Sequence, residues 1–175
     1  MKIQNITGKL TEEKVIKSLK DSGLVAEKPV PDKGIDLDVY HPGNPVNKIK
    51  IQIKGRGENP QNGRWFQIRT SPKQRNDAVK LGLHVSETYK EKVKLCDFFI
   101  LVSLKHDELW VFPIDVILEI IGINREYYKN RKDNQNGHQA EINLEITDSS
   151  GILLYKKYYF YRNNVSLIKE NLKVT

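Results

Sequence analysis

Two short segments place chemically useful residues at strand spacing: "GIDLDVY" (34–40) and "KIKIQIKGR" (48–56). Ile35, Leu37 and Val39 alternate with Asp36 and Asp38. In the second segment Ile49, Ile51 and Ile53 alternate with Lys50, Gln52 and Lys54, so each reads as a strand with one apolar and one polar face. Hydrolysis of a phosphodiester calls for a divalent cation that neutralises developing charge and lowers the pKa of a bound water. Hard Mg²⁺, for which Mn²⁺ can substitute, prefers carboxylate and amide oxygens. Asp36 and Gln52 carry such oxygens. Lys54 follows Gln52 by two residues on the same strand face, where its ammonium can orient a nucleophilic water or stabilise charge on the phosphorus oxygens. Taken by themselves, these four positions fit a solvent-facing row of paired ions equally well.

The surrounding elements must bring these groups together. "NITGKLTEEKVIKSLKDSGL" reads as a helix with Thr11 as N-cap, Glu12 and Glu13 at the positive end of the dipole, Val15, Ile16 and Leu19 at helical spacing, and Gly23 as its stop. "PVPDKG" is a turn-rich connector, and "YHPGNPVN" a hairpin loop that makes the two strands antiparallel neighbours. "RWFQIRT" is a third strand, followed by a loop with one helical stretch. "DFFILVSL" is a buried strand that turns through "KHDE" into "ELWVFPIDVI". Beyond these, "NREYYKNRKDNQNGHQ" is polar and loop-like. "EINLEIT" and "ILLYKKYYFY" resemble a hairpin around "DSSG", and "VSLIKENL" is a short amphipathic end. No internal repeat or low-complexity linker interrupts the chain.

With 175 residues the chain fits one domain, with a core over about 1–120 and a C-terminal extension over about 121–175. The net charge of +7 favours a polyanionic partner, because phosphates bound by Lys and Arg release counterions. A single cysteine, Cys96, excludes an intramolecular disulfide. Together with the lack of a signal-peptide core or membrane-length apolar run, this leads us to expect a cytoplasmic protein without membrane contact. Cys96 precedes an apolar strand and reads as a core residue. His41, His84, His106 and His138 lack metal-ligand spacing, and "GRGENPQNG" lacks the Lys-Ser/Thr ending of a phosphate-binding loop.

The helix "GKLTEEKVIKSL", then "GIDL", then "IQIKGR", in that order and spacing, resemble the PD-(D/E)XK nucleases, in a variant where glutamine replaces the third acidic residue. The likeness spans roughly the first third of the chain. "DFFILVSL" and "ELWVFPIDVI" look like later core strands of that superfamily, in particular of its Holliday-junction resolvases, restriction-type enzymes and group I intron-encoded homing endonucleases. The resemblance implies an α/β fold, a restriction-endonuclease-like core of mixed β-sheet flanked by helices, with a C-terminal β-hairpin or loop extension. It implies Asp36 as central metal ligand, Gln52 as second ligand, the Ile53 carbonyl as a further one and Lys54 as the catalytic lysine. Glu12 would anchor a metal-bound water or second metal. Glu12 shares a helix face with Val15, Ile16 and Leu19 and follows Gly8 by four residues, as in the family, whereas Glu13 aligns with Lys17 and Lys20. Gln52 removes one charge from the site, which weakens metal binding unless Glu12 compensates. Asp32, in the Pro31-Asp32 pair, reads as loop chemistry, and Asp38 as a solvated strand residue.

Lys9, Arg56, Arg64, Arg69, Lys73 and Arg75 surround the expected cleft and suit phosphate contacts, although each fits a solvated basic face as well. "YYKNRKDNQNGH" carries residue types suited to phosphates and base edges, or to a dimer surface. The expectation is therefore a Mg²⁺-dependent DNA endonuclease, acting on double-stranded DNA as a homodimer or higher homo-oligomer because two strands require two active sites. Alternatives are a catalytically inactive DNA-binding or assembly module on the same fold, and an RNA-directed nuclease.

Overall fold

The computed structural model describes residues 3–30, 34–58, 63–69, 80, 93–128 and 139–173. The elements are α1 (Ile3–Asp21), β1 (Val25–Glu27), β2 (Leu37–His41), β3 (Asn44–Arg56), β4 (Trp65–Arg69), β5 (Phe98–Ser103), β6 (Glu108–Pro113), α2 (Ile114–Tyr128), β7 (Gln139–Asn143), the single-turn α3 (Leu154–Lys157), a 3₁₀ turn (Tyr159–Tyr161) and α4 (Ser166–Lys173). Five strands form the central sheet in the order β1-β2-β3-β5-β6. β2 and β3 pair antiparallel, as the alternating segments imply, and β3 runs parallel to β5, giving the mixed sheet flanked by helices that the sequence leads one to expect. Among the described residues no helix is long and apolar enough to cross a membrane.

Period-two alternation gives the sheet two buried faces. Leu37, Val39, Ile49, Ile51, Ile53, Phe98, Ile100 and Val102 pack against Val15 and Leu19 of α1 and Ile168 and Leu172 of α4. Phe99, Leu101, Trp110 and Phe112 face the other way, onto Ile117, Ile120 and Ile121 of α2 and Phe66, Ile68 and Ile142 of the smaller sheet. Residues beyond 120, read above as an extension, thus supply side chains to both cores.

Three elements differ from the sequence reading. α1 begins at Ile3, so Thr11 lies inside the helix: it is buried and its hydroxyl donates to the Gly8 carbonyl (2.9 Å), where an N-cap was expected. Packing against β3 gives Thr11 this role, and Glu12 and Glu13 consequently sit mid-helix, away from the dipole's positive end. The stop at Gly23 is as read. Gly23 takes φ +80°, its N–H bonds to Lys20 O (2.8 Å), and Leu24 N–H reaches back to Leu19 O (3.0 Å), a left-handed cap sealed by the buried Leu19 and Leu24 side chains. "RWFQIRT" is a strand, but it pairs antiparallel with β7 in a separate two-stranded sheet. The expected C-terminal hairpin reduces to one bridge, Thr147 with Leu153. "ILLYKKYYFY" turns helical there, because Leu154, Tyr158 and Tyr161 recur at helical spacing and all three join the core beside α2.

Candidate active site

The hairpin β2–β3 sets the site. Gly34 adopts φ +81°, a left-handed conformation that glycine tolerates at no steric cost, and leads the chain into Ile35 and Asp36. Asp36 N–H then bonds to Ile51 O (3.0 Å), continuing the ladder of β2 by one residue and fixing the carboxylate over β3. Asp36 Oδ2 accepts the Ile53 backbone N–H (2.6 Å) and the Gln52 side-chain amide N–H. Burial pushes the Asp36 carboxyl above its ordinary pKa. The Ile53 hydrogen bond, the Lys54 charge and the Gln52 hydrogen bond pull the other way without overcoming it, and the negative charge of Glu12 adds to the rise.

Gln52 is buried at 4 % exposure. A carboxylate can only accept, so the amide nitrogen must face Asp36 and the amide oxygen must face away. That oxygen, Oε1, is buried and has no hydrogen-bond partner. A buried acceptor left this way costs about 1–3 kcal/mol unless something positive or a donor occupies the space beside it. Carboxylate and amide oxygens are of the hard type that suits Mg²⁺, and a rotation of the Gln52 amide would be needed to turn Oε1 toward Asp36. Among the described residues no group of three or more His, Cys, Asp or Glu is placed to hold a metal ion.

Glu12 reaches this region through a close helix–strand contact. A Cβ at Gly55 would lie 2.5 Å from Thr11 Cγ2 and Oγ1, so only glycine at this point of β3 lets α1 approach. The next residue of the helix, Glu12, is half-buried and its charge is felt at Asp36, whereas Glu13 is exposed and pairs with the exposed Lys9 (3.8 Å). Glu12 forms an ion pair with Lys28 (2.8 Å), a partner that sequence reasoning missed. The glycine directly after Lys54 was the available signal for the Thr11 contact; no local signal marks Lys28.

No protein-family model matches the chain, and no curated protein matches it either. Among solved structures it is similar to a bacterial homing endonuclease, I-Ssp6803I, with a TM-score of 0.57 and 18% sequence identity. The match covers 99% of this chain and 96% of that one. The likeness is one of fold.

Other expected residues fall in several places. Asp36, Gln52, Ile53 and Lys54 come together, with Lys54 half-buried and its charge acting on Asp36. Asp38 lies one rung further along, opposite Lys50. Arg56 stacks over the Trp65 ring (5.9 Å to its centroid) at the end of β3. Arg64, read above as a phosphate contact, has a structural role: its guanidinium forms two 2.8 Å hydrogen bonds to the buried Glu108 and lies 4.6 Å from the Tyr155 ring centroid. It is taken up because Glu108 is buried and demands a partner. Arg69 ends β4, and Asp32, Lys73, Arg75, His84 and His138 lie outside the described residues. His41 accepts the Gly43 N–H (3.1 Å), and His106 stands 3.8 Å from Glu145. Cys96 is buried, and that burial pushes its thiol up to about 11, with the nearby Asp36 and Asp97 adding to the rise; a thiol so placed is a core residue.

Proposed function

We propose that this chain is a metal-dependent endonuclease of the PD-(D/E)XK type that hydrolyses phosphodiester bonds of double-stranded DNA. The observation that carries the reading is the convergence of Asp36, Gln52 and Lys54 on adjacent strands, with the buried Gln52 oxygen lacking a partner. The fold shared with a bacterial homing endonuclease and the net charge of +7 support the same reading.

In this mechanism Asp36 and Gln52, with the Ile53 carbonyl, would hold Mg²⁺, which when bound supplies charge neutralisation and a more acidic water. Asp36 is kept in place by the Ile53 N–H, which takes up Oδ2. Lys54 offers an ammonium to orient the attacking water or to stabilise charge gathering on the phosphate oxygens. Glu12 enters from the helix and supplies the carboxylate that the Gln52 substitution takes out of the strand pair. Two copies of the chain, each cutting one strand, would complete a double-strand break.

The test is incubation of the purified protein with supercoiled plasmid and a linear duplex in Mg²⁺. Nicking is expected, with loss of activity on chelation and in Lys54→Ala, while Lys54→Ala still binds DNA. Undiminished cleavage by Lys54→Ala overturns the assignment. Binding without nicking by the wild type returns the chain to a non-catalytic DNA-binding module, and cleavage confined to RNA substrates redirects it to RNA.

A further inference from the structure

Lys28 follows the last residue of β1, whose closing rung pairs Glu27 with Asp38. Because β1 runs antiparallel to β2, the next step along the chain leads toward the end of the sheet where Asp36 enters β2. The carboxylate nearest in sequence, Glu27, is already engaged: it accepts the Tyr40 hydroxyl (2.6 Å) and stands 3.9 Å from Lys48 Nζ. The Lys28 ammonium crosses instead to α1, where it lies 2.8 Å from Glu12 Oε1. Glu13 pairs with Lys9 on its own helix (3.8 Å). Of the two helix glutamates, Glu12 is thus the one whose charge is met by a cation from the strand layer.

We propose that Lys28 is a positioning residue for metal binding: its ammonium stands in for a cation at Glu12 until a divalent metal ion displaces it, and so sets how much metal the site requires. The inference rests on the endonuclease reading above and adds the residue that governs its metal demand.

The two ends of the ion pair are held differently. The Glu12 side chain is 27 % exposed and follows Thr11, which is seated against Gly55 of β3, whereas the Lys28 side chain is 70 % exposed. The carboxylate is therefore the fixed partner. The ammonium sits on a flexible four-carbon stem and can swing into water at little cost. A pair open to solvent at one end is weak, strong enough to orient a carboxylate and weak enough for a doubly charged ion to break. The Glu12 charge also reaches Asp36, so the two carboxylates repel and the pair with Lys28 relieves that repulsion. A divalent cation shared by both would take over this task and repel Lys28.

The experiment measures Mn²⁺ binding to the full chain, without nucleic acid, from the electron paramagnetic resonance signal of free Mn²⁺. It compares the wild type with Lys28→Met, Lys28→Arg, Glu12→Gln and the Glu12→Gln, Lys28→Met double variant, each shown by thermal unfolding to be folded. Lys28→Met keeps the length of the stem and removes its charge; it should bind Mn²⁺ about two- to fivefold more tightly, the range that an exposed ion pair spans. Lys28→Arg should bind as the wild type does. In the Glu12→Gln background the gain should disappear, because the cycle isolates what Lys28 does through Glu12. Plasmid nicking by Lys28→Met should reach half its maximal rate at correspondingly lower Mg²⁺. Equal or weaker Mn²⁺ binding by Lys28→Met, or the same gain with Glu12→Gln, overturns the proposal; if the wild type nicks plasmid, the endonuclease reading survives that result. A wild type that shows the Mn²⁺ pattern and never nicks loses the endonuclease reading and keeps Lys28 in its role, and a wild type that binds no Mn²⁺ loses both.

Discussion

Asp36 and Glu108 are two inward-turned carboxylates on the same sheet, and they titrate in opposite directions. Burial pushes both upward. At Glu108 the rise is overcome by the hydrogen bonds and charge of Arg64, the Trp110 indole (3.1 Å) and the charge of Arg162, whose Nε lies 3.0 Å from the carboxylate, so the group ends below its ordinary value. At Asp36 the hydrogen-bond donors are neutral amides and, among the described residues, the cation acting on it is Lys54, so burial wins and the group ends above its ordinary value. Glu108 thus has its positive charge built in, which makes it a structural ion cluster. Asp36 is short of positive charge and lies beside an unpartnered amide oxygen. The difference separates a carboxylate that serves the fold from one that suits a cation arriving from outside.

Removing the built-in partner should have the largest consequence. Glu108→Ala leaves Arg64 facing an apolar interior and should cost about 3–5 kcal/mol in urea unfolding. In the wild type Glu108 has a folded pKa below its ordinary value, so its stabilisation is present above the ordinary glutamate pKa and is lost as pH falls through the lower folded value. The variant should accordingly show a flatter acid limb in a plot of stability against pH. An acid limb of unchanged slope would remove Glu108 from the account.

Next in size, Lys54→Ala should reduce nicking about a hundred- to thousandfold with unfolding nearly unchanged, the reverse of the Glu108 pattern. Coupled loss of stability and activity in both variants would erase the distinction between the two carboxylates. Gly55→Ala drives a methyl into Thr11 and should cost about 1–3 kcal/mol, with a fall in nicking as Glu12 shifts; Thr11→Ser in the same chain should recover part of both. The smallest effect on stability is expected of Asp36→Asn. A raised folded pKa means that the protonated group stabilises the fold below about 3.8, a contribution lost as pH rises through the folded value. The uncharged variant should therefore be no less stable than the wild type at neutral pH, as thermal unfolding would record, while nicking disappears.

Much of the strand pair was legible because its information is local. Asp36, Gln52 and Lys54 alternate with Ile and Leu at a period of two, and a two-residue turn at Pro42-Gly43 joins the strands, so facing and pairing follow from spacing. Glu12 was preferred to Glu13 by helix periodicity and by its spacing of four from Gly8. What escaped the sequence depends on distant partners. "LTEE" has the form of a helix start, but a gap in the side-chain surface of β3 at Gly55 receives Thr11 and lets the helix run through. Arg64 looks like any basic residue near a cleft until Glu108, 44 residues later, is seen to claim it. The aromatic run at 158–161 has strand-like composition, and its helical form follows from packing beside α2 and β6.

β3 is the third of five strands, with β1 and β6 at the two rims. Fraying begins at rims and reaches the middle last. Gln52 and Lys54 are therefore among the final groups to let go as denaturant rises, and amides around them should exchange with heavy water more slowly than those of the rim strands.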